Sequence, residues 1–574
     1  MPPRLHDWLP ILAWSRRYTA QYAAADGVAA AVVTLMLIPQ SLAYALLAGL
    51  PPQAGLYASM APLLLYAVFG SSNTLAVGPA AVTSLMTAAA AGAAAAHTGA
   101  GHAVAALWLA LLSGGLMLLM GVARLGFVAH FLSHPVVSGF VSASGLLIAA
   151  SQLKHLLGIP LKGDTLPALL AQLPGHLEEV HWPTVAMGAV VLAALWAARR
   201  HLKPLLQRWG VSPFVADISS KAAPVLALVL SIALAAGLGL ADAGMKVVGA
   251  VPSGLPPLTW PSWNEEALHL VQALLMPALL ISLVGFVESV SVGQSLAAKR
   301  RERIDPDAEL RGLGASNIGA ALTGGFPVTG GFSRSVVNYD AGARTPAAGI
   351  FTALGLALAA LFLTPWLFHL PQATLAATIV VAVLSLVDLG AFNRTWRYSR
   401  TDFVALALTF GLTLAVGVEA GLMAGVGSSL LLWLYRSSRP HIATVGQVPG
   451  TEHYRNVLRH AVLTHPKILG LRVDESLYFA NARYLEDHVA AQVASHPQVR
   501  HVVLQCSAVN DIDASALESL EAIAERLHDA GVTLHLSEVK GPVMDTLKRS
   551  DFLDHLCGQV FLTHHQAITA LGAE

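Results

Sequence analysis

The chain has 574 residues, of which 55% are apolar and 12% are charged, and its mean hydropathy is +0.61. Soluble domains carry about 25% charged residues, so this composition excludes an ordinary soluble globule and predicts a polytopic α-helical membrane protein. Lys and Arg together number 34, as do Asp and Glu, and the zero net charge gives no basic signal for a nucleic-acid partner. Two cysteines, Cys506 and Cys557, exclude a disulfide framework and a cysteine-rich metal site. We expect neither a metal nor a cofactor.

The first 26 residues carry charged side chains around short apolar patches, and no long apolar run precedes a small-residue cleavage site. We therefore expect 1–26 to be a cytoplasmic N-terminal segment and not a cleaved signal peptide. About 26 of the charged residues fall after Pro440. This shift in composition predicts a transmembrane domain over 27–438 and a soluble domain over 439–574.

Between these boundaries, nine apolar runs are long enough to cross a bilayer. They lie near 27–50, 103–123, 183–198, 222–241, 270–293, 347–368, 371–389, 402–417 and 419–435. Five shorter or Gly/Pro-broken runs lie near 54–70, 78–96, 127–150, 312–326 and 332–340. If all fourteen segments cross, every basic loop cluster falls on one side, which the positive-inside rule makes cytoplasmic. This predicts a multi-pass inner (plasma) membrane protein with both termini in the cytoplasm.

Two of the broken segments have the same character. Residues 70–80 and 324–335 each place a Gly-, Pro- and Ser-containing stretch before a short helix at membrane depth. Non-helical backbone is tolerated there only where it is buried in protein or lines a cavity, and paired interrupted helices mark a transporter's binding site. The tetrapeptide at 40–43 recurs at 294–297, an offset of 254 that carries Pro79 onto Ser333. Seven spans in each half would give the two halves opposite orientations.

The chemistry of this site favours an anion. Two facing helix N-termini present free N–H groups and together about one positive charge, and Arg334 adds a permanent one. Glu288 lies about 16 Å along a helix from the Lys299 cluster, near mid-membrane. A carboxyl group that can be neutral or charged at that depth is a candidate proton carrier. The alternative is a permanent ion pair between Glu288 and Arg334, and the sequence leaves both open.

These motifs resemble a known family. Residues 38–52 (IPQSLAYALLAGLPP) and 55–59 (GLYAS) are similar to the first-helix signature of SulP anion transporters, relatives of the mammalian SLC26 group. Residues 77–80 (VGPA) resemble the start of the family's third helix, and 332–335 (FSRS) the start of its tenth. The tail resembles a STAS domain. The resemblance runs in the right order over nearly the whole chain.

The resemblance implies fourteen transmembrane segments in a seven-plus-seven inverted repeat, with UraA-like core and gate domains that move as an elevator. It also implies a small cytoplasmic α/β STAS domain and a homodimer. Glu288 matches the family's proton-coupling acid, whereas Val292 stands where sodium-coupled bicarbonate relatives carry a hydroxyl, which favours protons. Ala80 replaces a bulkier residue of some relatives. The implied substrate-binding residues are Gln40, Tyr44, Gly78, Pro79, Ala80, Ala81, Phe332, Ser333 and Arg334.

The tail alternates strand-like runs at 502–506 and 532–536 with a helical pattern at 515–527, which indicates a small α/β domain. Residues 510–517 resemble the loop that carries a phosphorylatable residue in STAS domains, where Ser515 would be the phosphorylation site. We favour the alternative that Asp513 or Ser515 simply caps the helix. No phosphate-binding loop or nucleophile triad stands in the tail, so we expect no enzyme.

Together these features predict proton-coupled symport of an inorganic anion, with sulfate favoured. The expected partners are the anion, protons, the lipid bilayer, a second copy of the chain and a cytoplasmic regulator acting through the STAS domain, with no nucleic acid. The alternatives are sodium-coupled bicarbonate symport and proton-coupled dicarboxylate symport. From a different class, a passive anion channel and a membrane-tethered regulator stay open. A nucleobase–proton symporter is disfavoured by Arg334 and by the tail.

Overall fold

A computed structural model describes residues 8–573, apart from 132, 162, 164, 262 and 264. The chain forms two compact units, of which the first ends at Ser429 and the second begins at Leu430. Each unit has its own hydrophobic core.

The helices that precede the tail are named in chain order. They are α1 (Ile11–Trp14), α2 (Ala20–Leu47), α3 (Pro52–Phe69), α4 (Ala81–Thr98), α5 (His102–Val122), α6 (His134–Ser151), α7 (Leu153–Leu157), α8 (Leu166–Gln172), α9 (Trp182–Ala197), α10 (Lys203–Arg208), α11 (Pro213–Lys221), α12 (Ala223–Gly237), α13 (Glu265–Arg300), α14 (Pro306–Leu322), α15 (Phe332–Asp340), α16 (Ala347–Phe362), α17 (Gln372–Leu384), α18 (Gly390–Tyr398), α19 (Arg400–Ala415) and α20 (Val418–Ser438). Two short strands lie among them, β1 (Val77–Gly78) and β2 (Thr329–Gly330). Short 3₁₀ turns occur at Ser15–Arg17, Gly126–Phe131, Leu173–Glu179 and Thr364–Leu367.

Each of the fourteen predicted segments contains a helix, namely α2–α6, α9, α12–α17, α19 and α20. Within the described residues, six helical runs are long and apolar enough to cross a membrane, and three shorter apolar helices accompany them. The predicted helical membrane region is therefore confirmed. The count of fourteen crossings stays a prediction, because α4, α14 and α15 lie deep in the protein among other helices and their length alone does not place them across a bilayer.

The first half of the membrane region is repeated in the second. The order α2, α3, β1, α4 recurs as α13, α14, β2, α15. Helix α3 begins at Pro52 and α14 at Pro306, which is the predicted offset of 254. The half-helices shift this register, because α4 follows Ala80 whereas α15 follows Gly331. The predicted equivalence of Pro79 with Ser333 is thus wrong by three residues, and Ala80 corresponds to Gly331.

Helices α5 and α14 pack with their backbones almost in contact. A Cβ atom added to Gly114 would lie 2.8 Å from the carbonyl oxygen of Gly314, and one added to Gly314 would lie 2.7 Å from the amide nitrogen of Leu118. Small residues permit such close approach between membrane helices, where van der Waals packing is a main source of stability. The pair Gly114 and Gly314 therefore fixes the distance between α5 and α14.

We expect Gly114→Ala to lower the melting temperature of the purified protein by several degrees, because the added methyl group must push α14 away from α5. Gly115→Ala is the matched control, since no atom lies within 4 Å of its added Cβ. Thermal unfolding in detergent, followed by tryptophan fluorescence, measures the difference. Equal melting temperatures for the two variants would show that the contact does not stabilise the fold.

The tail is an α/β domain built on one six-stranded sheet. Its strands are β3 (Ile442–Gln447), β4 (Tyr454–Asn456), β5 (Ile468–Val473), β6 (His501–Gln505), β7 (Thr533–Ser537) and β8 (Val560–Phe561), in the spatial order β4-β3-β5-β6-β7-β8. Strands β5 to β8 are parallel, and β3 runs antiparallel to β4 and β5. The helices are α21 (Ala482–Ser495), α22 (Ala514–Asp529), α23 (Gly541–Leu547), α24 (Phe552–His555) and α25 (His564–Gly572). The predicted strands and the predicted helix of the tail are all confirmed.

Helix α22 begins with the cap that we favoured. The carboxylate of Asp513 accepts a hydrogen bond from the amide of Ala516 at 2.8 Å. Ser515, the second residue of the helix, is exposed and does not cap it. Asp513 is therefore the capping residue, and Ser515 keeps a free surface position.

Two buried histidines make the stability of the tail depend on pH. Burial and the neighbouring His501 lower the pKa of His535 to about 4, and burial lowers the pKa of His564 to about 4. The Nδ1 atom of His535 accepts a hydrogen bond from the Gln559 amide at 3.0 Å, which requires a neutral ring at that nitrogen. The folded domain thus holds both histidines neutral down to a pH at which the unfolded chain has protonated them.

Since the unfolded state binds more protons between the folded pKa near 4 and the ordinary value of 6.5, stability is full above pH 6.5 and falls as the pH drops toward 4. We expect each histidine to contribute up to about 1.4 kcal/mol per pH unit in that window. Amide hydrogen exchange of β6 and β7 in the full-length protein, corrected for intrinsic rates, measures the slope. His535→Asn should flatten it, and His528→Asn on the exposed face of α22 is the control. An unchanged slope in His535→Asn would contradict this origin.

Candidate functional site

The two half-helices are positioned by a pair of crossed strands. Strands β1 and β2 pair antiparallel, with Val77 opposite Gly330 and Gly78 opposite Thr329. Each short strand satisfies the backbone of the other where no water is available to do so. The antiparallel pairing also means that the two halves of the chain run in opposite directions at this point. The sequence predicted both extended stretches, but it contained no signal that they pair.

Helix α13 supports β2 from behind. The hydroxyl of Thr329 donates to the carbonyl of Gly285 at 2.7 Å and lies 2.8 Å from the hydroxyl of Ser289. The amide of Gly330 donates to the hydroxyl of Ser289 at 2.9 Å. All three side chains and backbone groups are buried. The strand is therefore fixed to the helix that carries Glu288, one residue before Ser289.

Both half-helices present uncapped N-termini. The residues that precede them, Ala80 and Gly331, are extended and provide no side-chain cap. The first helical hydrogen bonds run from Ser84 to Ala80 and from Ser335 to Gly331. The amides of the first turn in each helix thus lack helical acceptors, which is the arrangement that binds anions at helix N-termini.

A small cavity lies at these two N-termini. Its volume is about 40 Å³, enough for a few water molecules. It brings together nine of the ten residues expected to bind substrate or carry a proton, namely Gln40, Tyr44, Pro79, Ala80, Ala81, Glu288, Phe332, Ser333 and Arg334. The remaining residue, Gly78, does not line the cavity, but its carbonyl group binds Arg334 from behind.

The structure adds four lining residues that sequence reasoning missed. Val82 and Gly331 belong to the half-helices, whereas Ala382 and Leu386 come from the end of α17 and the turn after it. A Cβ atom on Gly331 would lie 2.7 Å from Nη2 of Arg334, so glycine is required there. Nothing marks Ala382 or Leu386 in the sequence, because small apolar residues are common in membrane helices.

Arg334 is a buried cross-brace between the two halves. Its side chain is 1% exposed. The guanidinium group donates to the carbonyl oxygens of Pro79, Gly78 and Thr329, at 3.0 Å to Gly78 and 3.2 Å to Thr329. Its Nε atom is buried without a hydrogen-bond partner among the described residues. The positive charge is therefore fixed beside both N-termini, and the backbone holds it there.

Glu288 is not paired with Arg334. The carboxyl group lines the same cavity, but within the described residues it makes no hydrogen bond and no ion pair within 4 Å to Arg334, whose bonded acceptors are the three backbone carbonyls. The alternative of a permanent ion pair is therefore wrong for this structure. The reason is geometric, since the carbonyl groups of both strands lie closer to the guanidinium than the carboxylate does.

Gln40 and Tyr44 form the wall of the cavity on α2. They stand one helical turn apart, and the amide nitrogen of Gln40 donates to the hydroxyl of Tyr44 at 3.1 Å. The other end of the Gln40 side chain, Oε1, is buried without a partner. Ser333 and Phe332 are exposed at the opposite wall, where the Phe332 ring is 48% accessible. The cavity thus offers hydroxyl and amide groups beside the helix N-termini.

The comparisons with known proteins agree with this arrangement. Residues 24–409 match the Sulfate permease family, and residues 460–567 match the STAS domain. The chain belongs to the Sulfate permease family. Its members include Sulfate transporter 4.1, chloroplastic, of Arabidopsis thaliana, which is 35% identical over 98% of this chain and 83% of its own length. A probable sulfate transporter of Mycobacterium tuberculosis strain H37Rv is 34% identical over 98% of both chains.

Solved structures show the fold of this sulfate permease family member. The murine Slc26a9 anion transporter in the inward-facing state superposes with a TM-score of 0.88 at 23% identity, over 99% of this chain and 94% of that one. The transmembrane domain of the cyanobacterial bicarbonate transporter BicA gives a TM-score of 0.60 at 21% identity, over 71% of this chain and 99% of that one. The protein is therefore a polytopic membrane anion transporter with a STAS domain, and not an enzyme.

A second polar cluster of this permease was not found from the sequence. The carboxylate of Glu309 is fully buried and accepts hydrogen bonds from the Tyr66 hydroxyl at 2.7 Å and from the Ser71 hydroxyl at 2.7 Å. The amides of Ser71 and Ser72 donate to it at 2.9 and 3.1 Å. Glu309 therefore fixes the segment that leads into β1. Its position in the first turn of α14, opposite a Ser-Ser pair 238 residues away, gave no local signal.

Proposed function

We propose that this protein imports sulfate together with protons, and that the cavity at the two half-helices is the transport site. The observation that carries the proposal is one small cavity that holds two helix N-termini, a buried guanidinium and an unpaired carboxyl group. The nine residues named for substrate and proton binding are proposed to act there as a unit.

The positive side of this site favours a compact dianion. The first-turn amides of α4 and α15 donate hydrogen bonds to the anion, and the charge of Arg334 adds to the two helix dipoles. Gln40 and Ser333 supply further donors. A cavity that holds only a few waters favours an inorganic anion over a four-carbon dicarboxylate. Sulfate is chosen because relatives that align with 98% of the chain are named sulfate transporters.

The negative side of the site supports proton coupling. When Glu288 is ionised, its charge lies in the same cavity as the dianion and repels it. Protonation removes that charge, so anion and proton enter together. Because Arg334 is bonded to backbone carbonyls, the proton is not needed to release Arg334, and this replaces the exchange of partners considered from the sequence. Val292, buried one turn after Glu288, supplies no oxygen for a sodium ion.

The movement and the assembly are part of the same proposal. Helices α4 and α15 carry the loaded site past the α17 wall as an elevator, and closing that wall excludes water. The protein forms a homodimer in the plasma membrane, with both termini in the cytoplasm. Ser515 stays the proposed site at which a cytoplasmic regulator acts on the tail, since a phosphate there would add about two negative charges at an exposed helix N-terminus.

Uptake of labelled sulfate into proteoliposomes tests the function. The vesicles receive an inward proton gradient, an inward sodium gradient or neither, and bicarbonate, fumarate and succinate serve as competitors. We expect accumulation only with the proton gradient and little competition by the dicarboxylates. Accumulation driven by sodium, or uptake of bicarbonate or a dicarboxylate in place of sulfate, would overturn the proposed substrate or coupling. Anion current without any gradient dependence would indicate a channel.

A further inference from the structure

A basic, aromatic segment follows α9 at the membrane surface. Helix α9 continues through a π-helical turn at Ala198–Leu202 into α10, so the helical run extends from Trp182 to Arg208. We call residues 196–209 the basic segment. It contains Arg199, Arg200, Lys203 and Arg208, and the sequence from 182 to 216 contains no Asp or Glu. The positive charge of the basic segment is therefore not balanced by its own part of the chain.

Two tryptophans border the basic segment. Trp196 is 57% exposed and Trp209 is 71% exposed. The guanidinium of Arg200 lies over the Trp196 ring, 5.5 Å from its centroid. Exposed tryptophans gather at the membrane–water interface, and arginines beside them on a helix that leaves the membrane face the lipid headgroups. The bilayer that surrounds this transporter is thus the partner within reach of the segment.

The basic segment also touches the wall of the transport cavity. Nη1 of Arg199 donates a hydrogen bond to the carbonyl oxygen of Val381 at 3.2 Å. Val381 lies in the last turn of α17, where a positive charge is favourable to the helix dipole. The next residue, Ala382, lines the cavity. A π-helical turn in a long helix frequently marks a functional position, and here that turn carries Arg199.

From this arrangement we infer that the basic segment is a binding site for anionic phospholipid headgroups, and that bound lipid acts on transport through the contact between Arg199 and Val381. Guanidinium groups bind phosphate with two parallel hydrogen bonds, which suits Arg200 and Arg208 to a phosphodiester. Headgroup binding fixes the end of α9 and thereby the position of Arg199 under α17. The inference goes beyond the proposed function and holds for whichever anion the protein carries.

Lipid binding is tested first, on the purified full-length protein. The detergent-solubilised protein is mixed with equal amounts of dioleoyl phosphatidylglycerol and dioleoyl phosphatidylcholine, and retained lipid is counted by native mass spectrometry. We expect wild type to retain phosphatidylglycerol preferentially and R200Q/R208Q to bind it about 25-fold more weakly. R500Q/R549Q removes two exposed charges from the tail and should bind as wild type does. Equal retention by wild type and R200Q/R208Q overturns the inference.

Transport is tested in vesicles of phosphatidylcholine alone and with about 30% phosphatidylglycerol, with any anion that wild type carries. We expect the anionic lipid to accelerate wild type and R500Q/R549Q, but neither R200Q/R208Q nor R199Q. R199Q should still retain phosphatidylglycerol in the mass spectra, because its role is the contact with Val381. Acceleration of R199Q equal to wild type overturns the coupling. Acceleration by millimolar inorganic phosphate in phosphatidylcholine vesicles would assign the site to a free anion and overturn the lipid assignment. A failure of sulfate or proton dependence leaves these comparisons intact and refutes only the proposed function.

Discussion

Arg334→Gln is expected to reduce sulfate uptake by about a hundredfold or more, because it removes the buried positive charge from the site and also weakens the brace between β1 and β2. Removing one partner of a buried charged network costs about 3–5 kcal/mol, and here three backbone carbonyls, those of Pro79, Gly78 and Thr329, lose donors. Arg334→Lys keeps the charge but lacks the planar fork that reaches several carbonyls. We expect Lys to restore part of the uptake and little of the thermal stability.

The control for Arg334→Gln is Arg344→Gln. Arg344 is exposed, and in the described structure its polar contact is the backbone amide, which donates to Asp26. We expect its uptake and melting temperature to stay near those of wild type. Initial rates in proteoliposomes, normalised to folded protein by size-exclusion chromatography, give the comparison. Wild-type uptake in a folded Arg334→Gln protein would remove Arg334 from the site.

Glu288→Gln is expected to separate anion movement from proton movement. The amide occupies the same space as a protonated carboxyl group and never carries a negative charge, so the variant resembles a permanently protonated site. We expect the loss of proton-driven sulfate accumulation by at least about tenfold, whereas sulfate–sulfate exchange continues at a rate that no longer depends on pH. Exchange and accumulation are measured in the same vesicle preparation across a pH series.

Glu419→Gln provides the matched control for this experiment, since Glu419 is an acid in the first turn of α20 and does not line the cavity. It should keep the wild-type pH dependence. If Glu288→Gln transports with unchanged pH dependence, another group carries the proton and the proposed coupling is wrong.

Much of the fold could be predicted from residue patterns. Apolar runs of sufficient length gave the helices of the membrane region, and the strand and helix periodicities gave the α/β tail. The breakers at 70–80 and 324–335 correctly marked the two interrupted helices, because Gly and Pro cannot continue a helix in either stretch. The echo at 40–43 and 294–297 gave the offset of α3 and α14. It failed for the half-helices, since the loops before them differ in length by three residues.

The parts that could not be predicted depend on contacts between distant segments. The pairing of β1 with β2 involves two residues from each strand, too few to leave a pattern. Arg334 was expected near an acid, but backbone carbonyls are invisible in a sequence because every residue has one. The same reason hides Glu309, which is satisfied mainly by amides and hydroxyls of the segment before β1. Ala382 and Leu386 reach the cavity only through the packing of α17.

The most direct measurement is the proton movement that accompanies sulfate. Proteoliposomes with a trapped pH-sensitive dye are prepared at equal internal and external pH, and sulfate is added outside. The proposed coupling requires the lumen to acidify in step with sulfate entry in wild type, and to stay at constant pH in Glu288→Gln while exchange continues. Sulfate entry at the wild-type rate without any change of internal pH would contradict proton-coupled transport at this site.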